Sequence, residues 1–225
     1  MTSVRTRAIL GLANLFVVLW LAIFLPAGSL DYREAWIYLA AFFIPSGLIT
    51  FYFLRKDPDL IRNRLKAGPG AEKRLIQKLI QACASLLFVS IFLIAGYDHR
   101  FGLSSVPDVI VILADMLTVL SFTLIFFVFR ENAYTSGTIE VSPKQPVVSS
   151  GPYAVVRHPM YSGALILLLV TPMALGSWWG LLLDVPMIIL IILRLFDEEK
   201  FLLESLSAYS DYIQKVRYRL IPYIW

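Results

Sequence analysis

The sequence predicts an all-α fold: a polytopic transmembrane helical bundle that closes with a C-terminal helical hairpin and an amphipathic cytosolic helix. Three observations carry this expectation. Of the 225 residues, 58% are hydrophobic and 16% charged, and the mean hydropathy is +0.72. A soluble domain draws about 45–50% from a similar apolar set and about 25% from charged residues. Four apolar runs approach or meet the ~20 residues that a helix needs to cross the bilayer core. The basic residues fall almost wholly on one side of those runs, as the positive-inside rule requires of a membrane protein. The same composition excludes disorder, and at this length there is no room for a separate soluble catalytic domain.

Taken in order, the runs are Ala8–Leu25, Ala35–Leu54, Leu79–Gly96 and Val109–Phe129. The first carries no A-x-A-like cleavage site before Pro26, so it reads as a transmembrane helix and not as a signal peptide. Tyr161–Gly176 and Trp178–Leu193 are shorter and meet at Trp178-Trp179-Gly180, which predicts a tight hairpin that crosses at a tilt or only in part. Pro172 and Pro186 each free a backbone carbonyl inside it, and such breaks need cover from protein at membrane depth. With six crossings and the N-terminus inside, 18 of the 20 Lys and Arg residues lie on the inner side, leaving Arg33 and Arg100 outside. Both termini are therefore expected in the cytosol, with the chain in a bacterial inner membrane.

Several function classes drop out. A single cysteine, Cys83, in an apolar run allows no internal disulfide and no cysteine cluster. The two histidines, His99 and His158, are far apart, so no metal site is expected. A net charge of +4 on so apolar a chain does not suggest a nucleic-acid partner. Asp115 and Asp184 lie inside apolar runs; an ionisable residue there is a functional candidate, against the plainer reading of a carboxyl bonded to a neighbouring helix. The loop Arg55–Lys78, RKDPDLIRNRLKAGPGAEKR followed by a further Lys, reads as an interfacial segment held by anionic headgroups.

Polar residues concentrate after Arg130. In GPYAVVRHPMYSG, Gly151-Pro152 marks a turn, and Pro159 suits the first position of a helix. His158 then stands at a helix N-terminus, where free amides favour anions. Beyond the hairpin, Leu195, Leu202, Leu206, Tyr209, Ile213 and Val216 recur at three, four or seven residues, giving the apolar stripe of an amphipathic helix. Arg194 and Glu198 are four apart and can pair on one face. Taken alone, this helix reads as an interfacial anchor.

GPYAVVRHPMYSG, the Glu198-Glu199 pair and YSDYIQKVRYRLIPYIW together resemble the isoprenylcysteine carboxyl methyltransferase family. Related enzymes with similar motifs methylate phospholipid amines or small thiols. The pieces YDHRFG and RENAYTSGTIEV also look like the bacterial branch. The resemblance covers about the last 95 residues, and implies transmembrane helices over 1–129 with a basic loop at 55–78, then a catalytic region over 130–225.

The implied activity is S-adenosylmethionine-dependent methyl transfer without a Rossmann domain, which agrees with the lack of G-x-G-x-x-G. The implied cofactor residues are Tyr153, Arg157, His158, Pro159, Tyr161, Gly163, Glu198, Glu199, Tyr209 and Tyr212. Arg157 and His158 suit the cofactor carboxylate, Glu198 or Glu199 its ammonium or ribose hydroxyls, and a tyrosine face its sulfonium. Arg157, Arg219, Glu131 and Asn132 are the expected catalytic and substrate-orienting residues. The acceptor is expected to be hydrophobic or lipid-like and to enter from the bilayer, most simply as a carboxylate, which needs no base at neutral pH. Three alternatives stay open: a phospholipid N-methyltransferase or small-thiol S-methyltransferase, an NADPH-dependent reductase with a similar C-terminal pattern, and a non-enzymatic transporter. The oligomeric state is left open.

Overall fold

Residues 3–141 and 145–225 are described in a computed structural model, and every regular element among them is helical. The order is α1 (Val4–Ala27), α2 (Arg33–Lys56), α3 (Pro58–Arg64), α4 (Leu75–Phe101), α5 (Asp108–Glu131), a 3₁₀ turn (Gly151–Ala154), α6 (Pro159–Ala174), α7 (Leu181–Ser205) and α8 (Tyr209–Lys215). Local chemistry sets the boundaries. Ser3 caps α1 by accepting from the Thr6 amide, and Gly28 ends it at φ 66°, a conformation that glycine adopts without cost. Asp57 caps α3 through the Leu60 amide, with Pro58 at its first position.

α1, α2, α4 and α5 are long and apolar enough to cross a membrane, on the four runs that the sequence marks. α6 has 16 residues, about 24 Å at helical rise, short of a bilayer core about 30 Å thick. α6 lies along α5, α1 along α4, α2 along α5, and α7 against α4. The core between them is aliphatic and aromatic, with Leu19, Ile23, Tyr38, Phe92 and Leu175 almost fully buried.

Two glycines allow the closest approaches. A Cβ on Gly163 would stand 3.0 Å from Ile125 Cγ1 of α5. One on Gly96 would overlap the Ile23 carbonyl oxygen and stand 2.7 Å from Pro26 Cγ. Backbone cannot yield as a side-chain tip can, so Gly96→Ala is expected to cost about 1–3 kcal/mol by overpacking. A thermal melt in detergent checks this against Gly47→Ala, whose added methyl meets nothing within 4 Å and whose Tm should hold or rise.

The hairpin region differs from expectation in one respect. α7 runs unbroken from Leu181 to Ser205, because its C-terminal half also buries residues: Leu195 is 0% and Glu199 6% exposed. The chain then turns through an extended Leu206 (φ −128°, ψ 105°) and restarts as α8. The stripe read as one amphipathic helix is thus folded in two, and Leu202, Leu206 and Ile213 pack around Tyr209, Tyr212 and Val216. The later helix start also places Asp184 in the first turn of α7. There it is buried, and neither carboxyl oxygen has a hydrogen-bond partner among the described residues.

At the opposite end of the bundle, YDHRFG ties elements together. His99 stacks on Tyr32 at 3.8 Å between ring centres, and the Tyr32 hydroxyl donates to the Leu175 carbonyl. Asp98 accepts from Ser104 Oγ at 2.6 Å and Ser177 Oγ at 2.5 Å, joining the end of α4 to the α6–α7 turn.

Candidate functional site

The site forms where α5, α6 and α7 reach the basic end. Pro159 opens α6 as expected, and the Arg157-His158 pair before it is gripped from outside. The Arg157 and His158 amides donate to the Tyr218 and Arg219 carbonyls, both at 2.9 Å. Ser162 Oγ donates to the Leu220 carbonyl at 2.7 Å. The C-terminal segment is thereby laid along the start of α6, which brings Arg219 back to α7.

All of this converges on Glu199. Its Oε1 accepts from Arg157 Nε at 2.8 Å and lies 3.2 Å from His158 Nε2. Its Oε2 accepts from Arg219 Nε at 2.9 Å. Arg157 further donates to the Val216 and Arg217 carbonyls at 3.2 Å. Burial opposes a charge on Glu199, yet the hydrogen bonds from His158 and Arg219 and the charge of Arg157 outweigh it and hold the carboxyl down at about 2.

Above this cluster opens a polar cavity of about 360 Å³, within the roughly 300–1,000 Å³ range of small-molecule sites. Tyr153, Arg157, His158, Pro159, Tyr161, Glu198, Tyr209 and Tyr212 line it, with Asn132 at one edge. The aromatic groups are fixed by their own bonds. Tyr212 donates to the Tyr153 carbonyl at 2.7 Å, Asn132 Nδ2 donates to the Tyr153 hydroxyl at 3.2 Å, and Tyr161 donates to Glu198 Oε2 at 2.5 Å. Burial pushes Tyr153 up to about 12, and raises Tyr209 and Tyr212 as well. These phenols therefore stay protonated and can donate. The Tyr209 hydroxyl and Thr135 Oγ1, both in the wall, are buried without a hydrogen-bond partner among the described residues.

Not every expected residue reaches the cavity. Gly163 faces Ile125 of α5, where it serves helix contact. Glu131 accepts from Ser150 Oγ and braces the turn at Gly151, whose φ is 54°. Glu199 and Arg219 stand behind the wall that Arg157 and His158 form. Arg194 and Glu198 do not pair directly; the Tyr161 hydroxyl sits between them, receiving Arg194 Nε at 3.1 Å and donating to Glu198.

The loop expected at the headgroups also reaches inward through two of its uncharged or acidic residues. Glu72 is 4% and Gln77 0% exposed, because both turn inward to Arg194, whose Nη1 lies 2.8 Å from Glu72 Oε1 and 2.7 Å from Gln77 Oε1. Arg194 Nη2 and Gln81 Nε2 both donate to the Gly137 carbonyl at 3.0 Å. Gln81 also donates to Glu72 at 2.8 Å. The loop and residues 132–140 thus form the roof of the cavity, and Arg64 is part of its wall. Gln77 and Gln81 give the signal that could have revealed this: two polar residues four apart, on one face at the start of α4.

A second, apolar groove of about 680 Å³ runs along the other side of Pro159. Leu124, Leu165, Leu169, Leu220 and Ile221 line it, and Pro159 borders both spaces.

Residues 109–208 match the model of the phospholipid methyltransferase family. No curated protein matches the chain. The matched stretch runs from α5 through α7 and holds Asn132, Tyr153, Arg157–Tyr161 and Glu198-Glu199, so most of the cavity wall belongs to it. Fold and match together support a helical membrane protein with the features of a methyltransferase.

Proposed function

We propose that the chain is an integral membrane methyltransferase that uses S-adenosylmethionine and acts on a hydrophobic acceptor reaching the cavity from the bilayer. The observation that carries this is the pairing of two spaces across Pro159: a cavity walled mostly by the matched stretch and lined by charged, hydroxyl and aromatic side chains, and an apolar groove beside it. The residues present suit the cofactor. Glu198 offers a carboxylate for its ammonium or ribose hydroxyls, and Arg157 brings positive charge, with His158 beside it, for its carboxylate. The tyrosine faces suit its sulfonium, and the unpartnered hydroxyls of Tyr209 and Thr135 await polar groups. When bound, the cofactor supplies an electrophilic methyl group on sulfur. The protein's share is then alignment and exclusion of water, which a cavity roofed by the Arg194 network provides. The basic end is assigned to the cytosol.

The acceptor reading is carboxyl O-methylation of an isoprenylcysteine-like or other hydrophobic acid. An amine or thiol must lose a proton first, and the histidine in the wall, His158, is already bonded to Glu199 at 3.2 Å. A carboxylate needs no such help. The family match favours a second reading, N-methylation of a phospholipid amine. Methyl-labelled cofactor supplied to the detergent-purified protein with a prenylcysteine acid or phosphatidylethanolamine separates them. Base-labile label on the acid is the expected result; base-stable label on the amine lipid supports the second reading, and no transfer to either refutes both.

A further inference from the structure

Three of the cations around the cavity have carboxylate partners: Arg157 with Glu199 at 2.8 Å, Arg194 with Glu72 at 2.8 Å, and Lys66 with Glu140 at 3.9 Å. Arg64 does not. Among the described residues no carboxylate lies within ion-pair distance of it. Its one hydrogen bond among the described residues runs from Nη1 to the Ser136 carbonyl at 2.7 Å, and its guanidinium lies 5.2 Å from the centre of the Phe129 ring. A guanidinium has five N–H donors, so most remain unspent. Arg64 is partly buried and belongs to the cavity wall together with Tyr153, Tyr161 and Glu198. A charge partly withdrawn from water with no counter-charge favours a ligand that supplies one.

We propose that Arg64 receives the anionic group of the methyl acceptor in the polar cavity. The proposal rests on the methyltransferase reading and narrows it to acceptors whose methylated group is an anion or carries one beside it. The burial that lowers the Arg64 pKa agrees with a site that is incomplete without a counter-charge. Tyr153 assists: its hydroxyl accepts from Asn132, which leaves its proton free to donate alongside the guanidinium. Of the acids in the wall, Glu140 accepts from Ser136 and lies 3.9 Å from Lys66, and Glu198 accepts from Tyr161 and is left to the cofactor. Arg64 lies on α3, outside the matched stretch, so the acceptor would be chosen by a part of the chain separate from most of the cavity wall.

Two sources of the anion exist, a carboxylate and a lipid phosphodiester, and paired probes separate them. The first pair is N-acetyl-S-farnesylcysteine and its carboxamide; the second is dihexanoyl-phosphatidylethanolamine and dihexanoylglycerol. Binding of each to the full-length protein in detergent is measured for the wild type, Arg64→Gln and Arg64→Lys, with S-adenosylhomocysteine titrated separately. In one pair the anionic member is expected to bind about tenfold more tightly than its neutral counterpart. That gap should close in Arg64→Gln and return in part in Arg64→Lys, with S-adenosylhomocysteine affinity within about twofold of wild type. The pair that shows it names the source. No gap in either pair, or a gap untouched in both variants, overturns the proposal. An equal loss of S-adenosylhomocysteine binding also overturns it, by assigning Arg64 to the cofactor. A wild type that binds no S-adenosylhomocysteine but keeps an Arg64-dependent gap refutes the methyltransferase reading alone.

Discussion

Glu199→Ala is expected to lower stability by about 3–5 kcal/mol and to abolish cofactor binding with it. The size follows from what the substitution leaves behind. Arg157 has 4% of its side chain exposed and His158 5%, so removing Glu199 strands a buried cation, and breaking such a pair costs about this much. Arg219 loses its anchor as well, and with it the C-terminal segment loses a hold on α6. Glu199→Gln keeps the shape without the charge and is expected to fall between. Thermal unfolding in detergent measures the first effect, and S-adenosylhomocysteine titration the second. The pH dependence has a fixed sign. The folded-state pKa lies below the ordinary 4.5, at about 2, so the stabilisation is complete above pH 4.5 and is lost as pH falls from there toward 2. A steep loss of Tm below pH 4.5 that is absent in Glu199→Gln is the expected contribution of this carboxyl.

Arg194→Ala should be almost as damaging, for a related reason in a different place. The side chain joins Tyr161, Glu72, Gln77 and Gly137, which belong to α6, the basic loop, α4 and the roof. Glu72 has 2% of its side chain exposed, and without Arg194 it keeps a hydrogen bond from Gln81 but no counter-charge. A cost of about 3–5 kcal/mol again applies, and the roof should loosen before the bundle does. Hydrogen exchange checks this: amides of residues 132–140 should lose protection in Arg194→Ala while those of α1 and α2 keep it. Arg194→Lys keeps the charge but cannot reach the same fork of acceptors, and is expected to rescue only part of the loss.

Much of this was readable in the residues. The four spanning helices follow from run length alone, and Pro159 and His158 announce the start of α6 because proline's fixed φ and missing amide suit only that end of a helix. Arg157, His158, Tyr161 and Glu198 were identified by motif and meet in one cavity wall, with Glu199 directly behind them. Gly163 was assigned to the cofactor, yet it serves helix contact, since a motif gives a residue's importance without its reason. The unbroken α7 was missed because periodicity cannot show that charged residues such as Glu199 will be buried by partners 40 residues away. The roof was missed for the same cause. A run of charges reads as a solvated or lipid-facing segment, and periodicity does not show that one acid in it, Glu72, also turns inward to Arg194.

The central claim is that the cavity between α6, α7 and α8 holds S-adenosylmethionine. Calorimetric titration of S-adenosylhomocysteine into the detergent-purified protein tests it most directly, with Glu198→Gln as the site control. The account predicts saturable binding of one molecule per chain, weakened at least about tenfold in Glu198→Gln by loss of a charge-assisted contact. Absence of binding at about 1 mM, the upper end of ordinary substrate affinities, or binding that Glu198→Gln leaves unchanged, would contradict it.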